Sequence, residues 1–425
     1  MESAVVLFSL CVVLMLLSVP IGIAIGIATV VCLLIYTDIP MVFIAQQSLT
    51  STNSFPLMAI PFFILAGNIM STGGVAKRLI DFSKTLLGFV TGGLAIVGTM
   101  TSMFFGALSG SAMATTSAVG AFMIPEMKKE GYDTAFSAAV CASAGTVGVI
   151  IPPSIPLVIY AVVVGESIGD LFLAGIVPGL LMGLCLMVAD YFLCRKYGYR
   201  SQGSRPTLAA VLKSFINSFW ALLSPVIILG GIYGGIFTPT EASVVAVVYS
   251  YLISAFIYKE ITLKKLYDSL FEAITVNGST TFMVGLSGAF ACFLTVEQVP
   301  QTMASALLGI TDNGILMLLL INLMLLFIGM VIDNIPATII LSPILLPIVT
   351  EFGMSPVTFG VMLTLNLAIG FVTPPYGINL FVGAAVANIS IEAICKHIVW
   401  FIVALLVALL ITTYVPAVTM AFLNR

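Results

Sequence analysis

The chain has 425 residues, 60% of them hydrophobic and only 8% charged, with a formal net charge of −3. Soluble domains carry about 25% charged residues, so composition excludes a soluble fold, and the charge balance excludes a nucleic-acid-binding protein. Apolar segments recur along the whole length, which selects an all-α integral protein of the lipid bilayer over a β-barrel.

The opening MESAVVLFSL has an acidic residue, no basic flank and no small-residue cleavage site. It reads as a first membrane helix rather than a signal peptide. Pro20 precedes the next apolar run. Basic residues then gather at four places: Lys77, Arg78 and Lys84; Lys128 and Lys129; Arg195, Lys196, Arg200, Arg205 and Lys213; and Lys259, Lys264 and Lys265. The positive-inside rule makes all four cytoplasmic.

Between the first two clusters, the run 88–108 meets Ser109-Gly110-Ser111 and continues as 111–125, ending at Pro125. Fifteen helical residues span roughly 22 Å, short of the ~30 Å hydrocarbon core. The spacing predicts a re-entrant helical hairpin entering and leaving on the cytoplasmic side. Two ordinary spans joined by an outside turn are the alternative. Next come a run over 135–164, interrupted by Pro152-Pro153, and a run over 171–194. Two further runs, 215–235 and 241–258, cross out and back. Within them, Thr238-Pro239-Thr240-Glu241 is T-x-x-E with proline at the first helical position, a capping box. Glu241 is therefore read as a helix cap before any other role.

The second half repeats the pattern from the opposite face. A run over 272–296 crosses outward. Residues 314–332 enter, meet Asp333-Asn334, and 335–350 return, ending near Pro347. The run 357–387 is broken by Pro374-Pro375, about 222 residues after the first proline pair, and 398–422 crosses last. Glu166, Asp170, Glu297 and Glu351 fall in loops on the extracytoplasmic side and read as solvated charges or as contacts for an extracytoplasmic partner. The pattern predicts two inverted-topology repeats, each with a re-entrant hairpin and a broken helix. Residues 1–87 form the scaffold of the first and 88–195 its hairpin and broken helix. Residues 196–214 are a cytoplasmic linker. Residues 215–298 form the second scaffold, and 299–425 the second hairpin, broken helix and last helix.

The breaks have a physical consequence. Proline removes an N–H and clashes with the preceding turn, and free backbone groups at membrane depth persist only inside protein or along a cavity. Free carbonyls and helix C-termini suit a cation; helix N-termini suit an anion. The architecture is that of a secondary transporter with cation and substrate near the midplane. Ser109 and Ser111 offer hydroxyls beside Gly110, or else serve only as small residues of a tight turn. Gly145 and Gly148 let a partner approach the first break. Asp333 and Asn334 form the second tip, and Gly370, Thr373, Tyr376 and Asn379 lie at the second break, the last two equally readable as interhelical packing. Asp333 stands between two apolar runs, where an acid costs about 2.5–3.5 kcal/mol to insert; it needs a cation, a proton or hydrogen-bond donors. The competing reading is a cap on the helix that follows.

The seven cysteines form no C-x-x-C and read as small apolar packers; His397, the single histidine, stands where a loop enters the last helix. An intramembrane serine protease would need a buried Ser–His pair, and an aspartyl type a second buried acid with G-x-G-D. Neither is present, so an enzyme is not expected. A passive channel or scaffold leaves the symmetric breaks unexplained.

PFFILAGNIM (61–70), IIPPSIPLVIY (150–160), GGIFTPTEASVVAV (234–247) and VTPPYGINLF (372–381) together resemble the large membrane subunit of TRAP transporters, the tripartite ATP-independent periplasmic carriers, with the sialic-acid branch looking closest. The resemblance implies an elevator-type carrier of the bacterial inner membrane. It also implies two partners, a small four-helix membrane subunit and a periplasmic substrate-binding protein. Na+ is the implied coupling ion, held at Ser109, Gly110, Ser111, Gly145 and Gly148 in one site and Asp333, Asn334, Gly370 and Thr373 in the other. The implied substrate is a carboxylate, a sialic or similar sugar acid first and a C4-dicarboxylate next. It would lie between the tips, with Ser109, Ser111, Ser154, Asn334, Thr373, Tyr376 and Asn379 around it. No Arg or Lys falls in a mid-membrane segment, so helix N-termini, hydroxyls and bound cations would have to attract the anion. The alternative is a stand-alone sodium/dicarboxylate carrier that needs no binding protein.

Overall fold

The computed structural model describes residues 2–199, 205–302, 309, 311–375 and 377–423. Arg200 and Tyr376 lie outside the described residues. The first repeat contains α1 (Glu2–Leu16), α2 (Ile21–Tyr36), α3 (Val42–Thr52), α4 (Ala59–Thr72), α5 (Val75–Leu87), α6 (Gly93–Ser109), α7 (Ala112–Lys129), α8 (Thr134–Gly145), α9 (Ile155–Val164) and α10 (Ile168–Tyr197). The second contains α11 (Leu208–Tyr233), α12 (Pro239–Leu252), α13 (Leu263–Val296), α14 (Gly314–Gly329), α15 (Asn334–Glu351), α16 (Pro356–Gly370), α17 (Ile378–Ala387) and α18 (Ile391–Tyr414), followed by the short α19 (Pro416–Met420). Seven helical stretches among the described residues are long and apolar enough to cross a membrane.

The repeat is visible in the helix starts. Gly93 and Gly314, Ala112 and Asn334, Thr134 and Pro356, Ile155 and Ile378, and Ile168 and Ile391 begin corresponding helices, each pair about 222 residues apart. Packing obeys the same symmetry. The second hairpin arm of the first repeat, α7, lies against α17, and the second arm of the second repeat, α15, lies against α9. Each hairpin thus leans on the far half of the other repeat's broken helix. Tyr160 ties the two halves together again by donating to the Pro356 carbonyl at 2.7 Å. Tyr160 and Phe359, both fully buried, meet edge to face along this seam with ring centroids 6.1 Å apart.

Around these elements, α4 packs on α12 and α13, while α13 also packs on α2 and α3. Arg78 in the first turn of α5 is a latch to the segment after α12. It pairs with Glu260 at 2.8 Å, donates to the Gly74 carbonyl, and stacks 3.6 Å from the Tyr258 ring centroid. Glu241 is the cap its spacing predicts: the Thr238 N–H donates to its carboxylate at 2.8 Å and its own N–H donates to Thr238 Oγ1.

Two expected boundaries are corrected. The first hairpin's second arm does not stop at Pro125; α7 continues to Lys129 and is 18 residues long. Nor does Pro347 end α15, which holds both Pro343 and Pro347 and runs to Glu351. A proline inside a helix forfeits one backbone hydrogen bond. Here Met123, Ile124 and Met127 are buried around Pro125, and Ile344, Leu345 and Ile348 around Pro347. Tertiary packing outweighs that local penalty, and Lys128 and Lys129 favour the C-terminal end of the α7 dipole.

Candidate cation and substrate site

At the first tip, α6 ends on Gly110, whose φ of 62° is left-handed. Only glycine enters that region without strain, so the chain can reverse within one residue. Ser111 then caps α7, its hydroxyl accepting from the Ala114 N–H at 3.4 Å. The Ser111 carbonyl accepts from Thr115 Oγ1 at 2.7 Å, and Ser109 Oγ lies 3.0 Å from Thr115 Oγ1. The tip docks on the first break, where the Ile155 N–H donates to the Gly110 carbonyl at 3.4 Å.

The first break runs from the end of α8 through a 3₁₀ turn, Thr146–Val149, to α9. A Cβ on Gly148 would sit 3.0 Å from the Ser111 carbonyl oxygen, and one on Gly145 would overlap Thr116 Oγ1. Both glycines therefore let the tip's oxygens come up against backbone. Thr116 Oγ1 is fully buried and has no hydrogen-bond partner. The structure brings Ser109, Gly110, Ser111, Gly145 and Gly148 together as one cluster of uncharged oxygen donors.

The second tip is built differently. Asp333 occupies the position of Ser111 and caps α15, its Oδ1 accepting from the Asn334 N–H at 2.7 Å. Asp333 is half-buried, and its other carboxylate oxygen is free of the cap. Asn334 is buried; it donates to the Thr364 carbonyl at 3.4 Å and accepts from Thr338 at 3.0 Å. At the second break, a Cβ on Gly370 would fall on the Gly329 carbonyl, so the first arm of this hairpin crosses the broken helix backbone to backbone. Thr373 Oγ1 donates to the Ile369 carbonyl at 2.8 Å, and the Asn379 N–H reaches back to the Phe371 carbonyl at 3.0 Å. The Pro152-Pro153 and Pro374-Pro375 bonds are both cis.

Both tips face one small cavity, of about 70 Å³, lined by Gly110 and Ser111 on one side and Asp333 and Asn334 on the other. The two hairpin tips thus meet at one place inside the protein. A second cavity, of about 330 Å³, adjoins it and shares Ser111 and Ile64 with it. Its polar wall is Asn68 of α4, Ser109, Ser111 and Ser117 of the first hairpin, and Glu272 of α13. No Lys or Arg lines either cavity.

Of the residues expected around a substrate, Ser109, Ser111 and Asn334 line these cavities. Ser154 is not part of their lining; it is fully buried, donating to the Val149 carbonyl and capping α9. Asn379 is fully buried too, donating to the Ala142 carbonyl at 3.1 Å, with its Oδ1 unpaired. Thr373 is turned to its own helix. Asn68, Thr116, Glu272 and Asn366 were not singled out from the sequence. Thr116 has a counterpart in Thr338, and that pairing was available from the repeat offset. Asn366, with Nδ2 on the Asn322 side chain at 2.7 Å and an unpaired Oδ1, carries no such signal.

The chain's relatives bear on this geometry. Residues 8–418 match the family described as Tripartite ATP-independent periplasmic transporter, DctM component. The chain belongs to this family. It is a multi-pass inner-membrane protein and not an enzyme. An isethionate TRAP transporter permease protein, DctMQ, of Oleidesulfovibrio alaskensis is 45% identical over 98% of the chain and 66% of its own length. The sialic acid TRAP transporter permease protein SiaT of Haemophilus influenzae is 39% identical over 96% of the chain and again 66% of itself. This chain thus spans under two thirds of each. It spans 94% of a C4-dicarboxylate TRAP transporter large permease protein, DctM, of Pseudomonas aeruginosa, at 41% identity. Among solved structures, the Alcanivorax borkumensis YdaH transporter, described as having an unusual topology, superposes with a TM-score of 0.63 at 12% identity, covering 87% of this chain and 86% of that one. That likeness is one of fold.

Proposed function

We propose that this chain is the large membrane subunit of a sodium-driven importer of a small organic anion. A periplasmic binding protein delivers the substrate, and a small four-helix membrane subunit completes the complex. The observation that carries the reading is the meeting of two hairpin tips, both rich in oxygen donors, beside a cavity with a polar wall. Sodium is cargo in this scheme. One ion is held by the uncharged cluster of Ser109, Gly110, Ser111, Gly145 and Gly148, where the unpartnered Thr116 hydroxyl adds a donor. The other is held at Asp333, Asn334, Gly370 and Thr373, where the carboxylate compensates one positive charge. Hard cations of this kind take oxygen ligands, and each set supplies them.

The substrate binds in the cavity of about 330 Å³, at the small end of ligand pockets. A sialic or similar sugar acid remains the favoured occupant, with a C4-dicarboxylate next. The relatives' names add a sulfonate, isethionate, to these classes, and their identities of 45%, 39% and 41% do not separate the three. The chemistry shared by all is an anionic head with hydroxyl or second polar groups. Helix N-termini at both tips and the bound cations supply the positive potential that the lining lacks. The hairpins and broken helices, interlocked through α7–α17 and α15–α9, move as a unit against α4 and α13 and carry ions and substrate together.

Direct sodium binding tests this reading. Heat stability of the purified complex is followed as NaCl replaces KCl at constant ionic strength. Sodium is expected to raise the midpoint, and Thr116→Val and Asp333→Asn each to diminish the rise. Equal stabilisation by both salts would remove sodium from the account.

A further inference from the structure

α10 and α18 hold corresponding places in the two repeats and pack side by side. On their outer face lies an apolar groove of about 390 Å³. One wall is the α10 stripe Leu184, Val188 and Phe192; the other is the α18 stripe Trp400, Val403 and Val407. These side chains are exposed, Phe192 by 61% and Trp400 by 53%. Each stripe runs into a cation one helical turn further on. Lys196 follows Phe192 on α10, and Lys396 precedes Trp400 on α18. The Lys196 ammonium lies 5.8 Å from the Trp400 ring centroid. Both lysines and Arg195 are exposed. The nearby acids are Glu392, one turn before Lys396, and Asp133, which is 3.6 Å from His397. The rim is net positive.

We propose that this groove binds one anionic phospholipid of the cytoplasmic leaflet. An acyl chain lies between the two stripes, and the phosphate sits against Lys196, Lys396 and Arg195. The length fits. From position 184 to 196 an α-helix rises roughly 18 Å, about one leaflet of the ~30 Å hydrocarbon core. The charge selects the lipid. A zwitterionic headgroup brings its own cation to a rim already in excess of positive charge, whereas an anionic one pairs with that excess, and basic pockets between membrane helices are suited to such headgroups. An apolar protein helix would fill the groove and strand the same cations. Trp400 sits at headgroup level, where an amphipathic ring is stable.

Native mass spectrometry of the purified protein, alone and with its small membrane partner, tests this with phosphatidylglycerol and phosphatidylcholine in parallel. Phosphatidylglycerol is expected to be retained and phosphatidylcholine lost at equal activation. Each cation replaced by Gln is expected to weaken phosphatidylglycerol binding about fivefold, so R195Q/K196Q/K396Q together cost roughly 100-fold. Val403→Trp, which fills the groove and leaves the rim intact, is expected to lose the lipid from a folded, monodisperse protein. Equal retention of the two lipids, or undiminished phosphatidylglycerol binding by the triple variant, would overturn the proposal. So would a photo-crosslinker at position 403 capturing the small subunit or a second copy.

Discussion

Asp333→Asn separates the two roles an acid at the second tip can have. Asparagine keeps the side-chain oxygen that accepts from the Asn334 N–H, and Asn and Asp are equally good N-caps. Folding stability is therefore expected to change by less than about 0.5 kcal/mol. The charge is lost. A unit pair about 4 Å apart is worth about 4 kcal/mol at an effective dielectric of 20, and half-burial reduces that to about 2–3 kcal/mol. At 1.4 kcal/mol per factor of ten, the sodium concentration for half-maximal uptake rises roughly 30- to 150-fold. The assay is initial uptake of labelled substrate into proteoliposomes against external sodium, with melting of the same preparation alongside. An unchanged sodium curve with an unchanged melting point would reduce Asp333 to a cap and refute the reasoning.

Other expectations follow from particular contacts. Gly148→Ala places a methyl against Ser111 and Thr115; the protein is expected to assemble but to lose sodium-driven uptake, measured as above. Gly370→Ala puts the same methyl on the Gly329 backbone carbonyl, which cannot yield as a side chain can, so overpacking of about 1–3 kcal/mol or more is expected as a lower melting point and poor yield. Glu241→Ala removes the N3 half of the capping box and is expected to lower the melting point slightly, with uptake per folded molecule unchanged. The Lys84 ammonium, through its hydrogen bond and its charge, holds the Glu126 carboxyl below the usual carboxylate range. The pair's stabilisation is present above the ordinary carboxylate pKa and is lost as pH falls through the depressed one. Both side chains are well exposed, so it amounts to under about 1 kcal/mol. Glu126→Gln is expected to lower the melting point slightly at neutral pH, to flatten the acid limb of a melting-versus-pH curve, and to converge with the unaltered protein at acid pH, where the pair is already lost.

Much of this architecture was legible because its signals are local. A proline pair in an apolar run, Ser109-Gly110-Ser111 and Asp333-Asn334 each break a helix by their own chemistry, and the shared offset exposed the repeat. Thr238 to Glu241 announced a cap by spacing alone. Helix ends were less legible. Pro125 and Pro347 signal termination locally, but buried neighbours on both sides carry the helices past them. Contacts made through space were not legible at all. Nothing near Asn68 or Glu272 in the sequence says that they face Ser109 and Ser117 across a cavity. Nothing near Asn366 announces Asn322, and nothing marks α7 as the neighbour of α17. Ser154 shows the converse: a hydroxyl at the break, placed as expected along the chain, is spent on a backbone carbonyl and a helix cap.

The most direct test of the account is uptake by proteoliposomes holding this chain with its small partner. An inward sodium gradient and the loaded binding protein are each supplied or withheld. The account predicts accumulation only when both are present, and no response to ATP. Uptake with sodium but without the binding protein would mark a stand-alone carrier, and uptake indifferent to sodium would contradict the role given to the two tips.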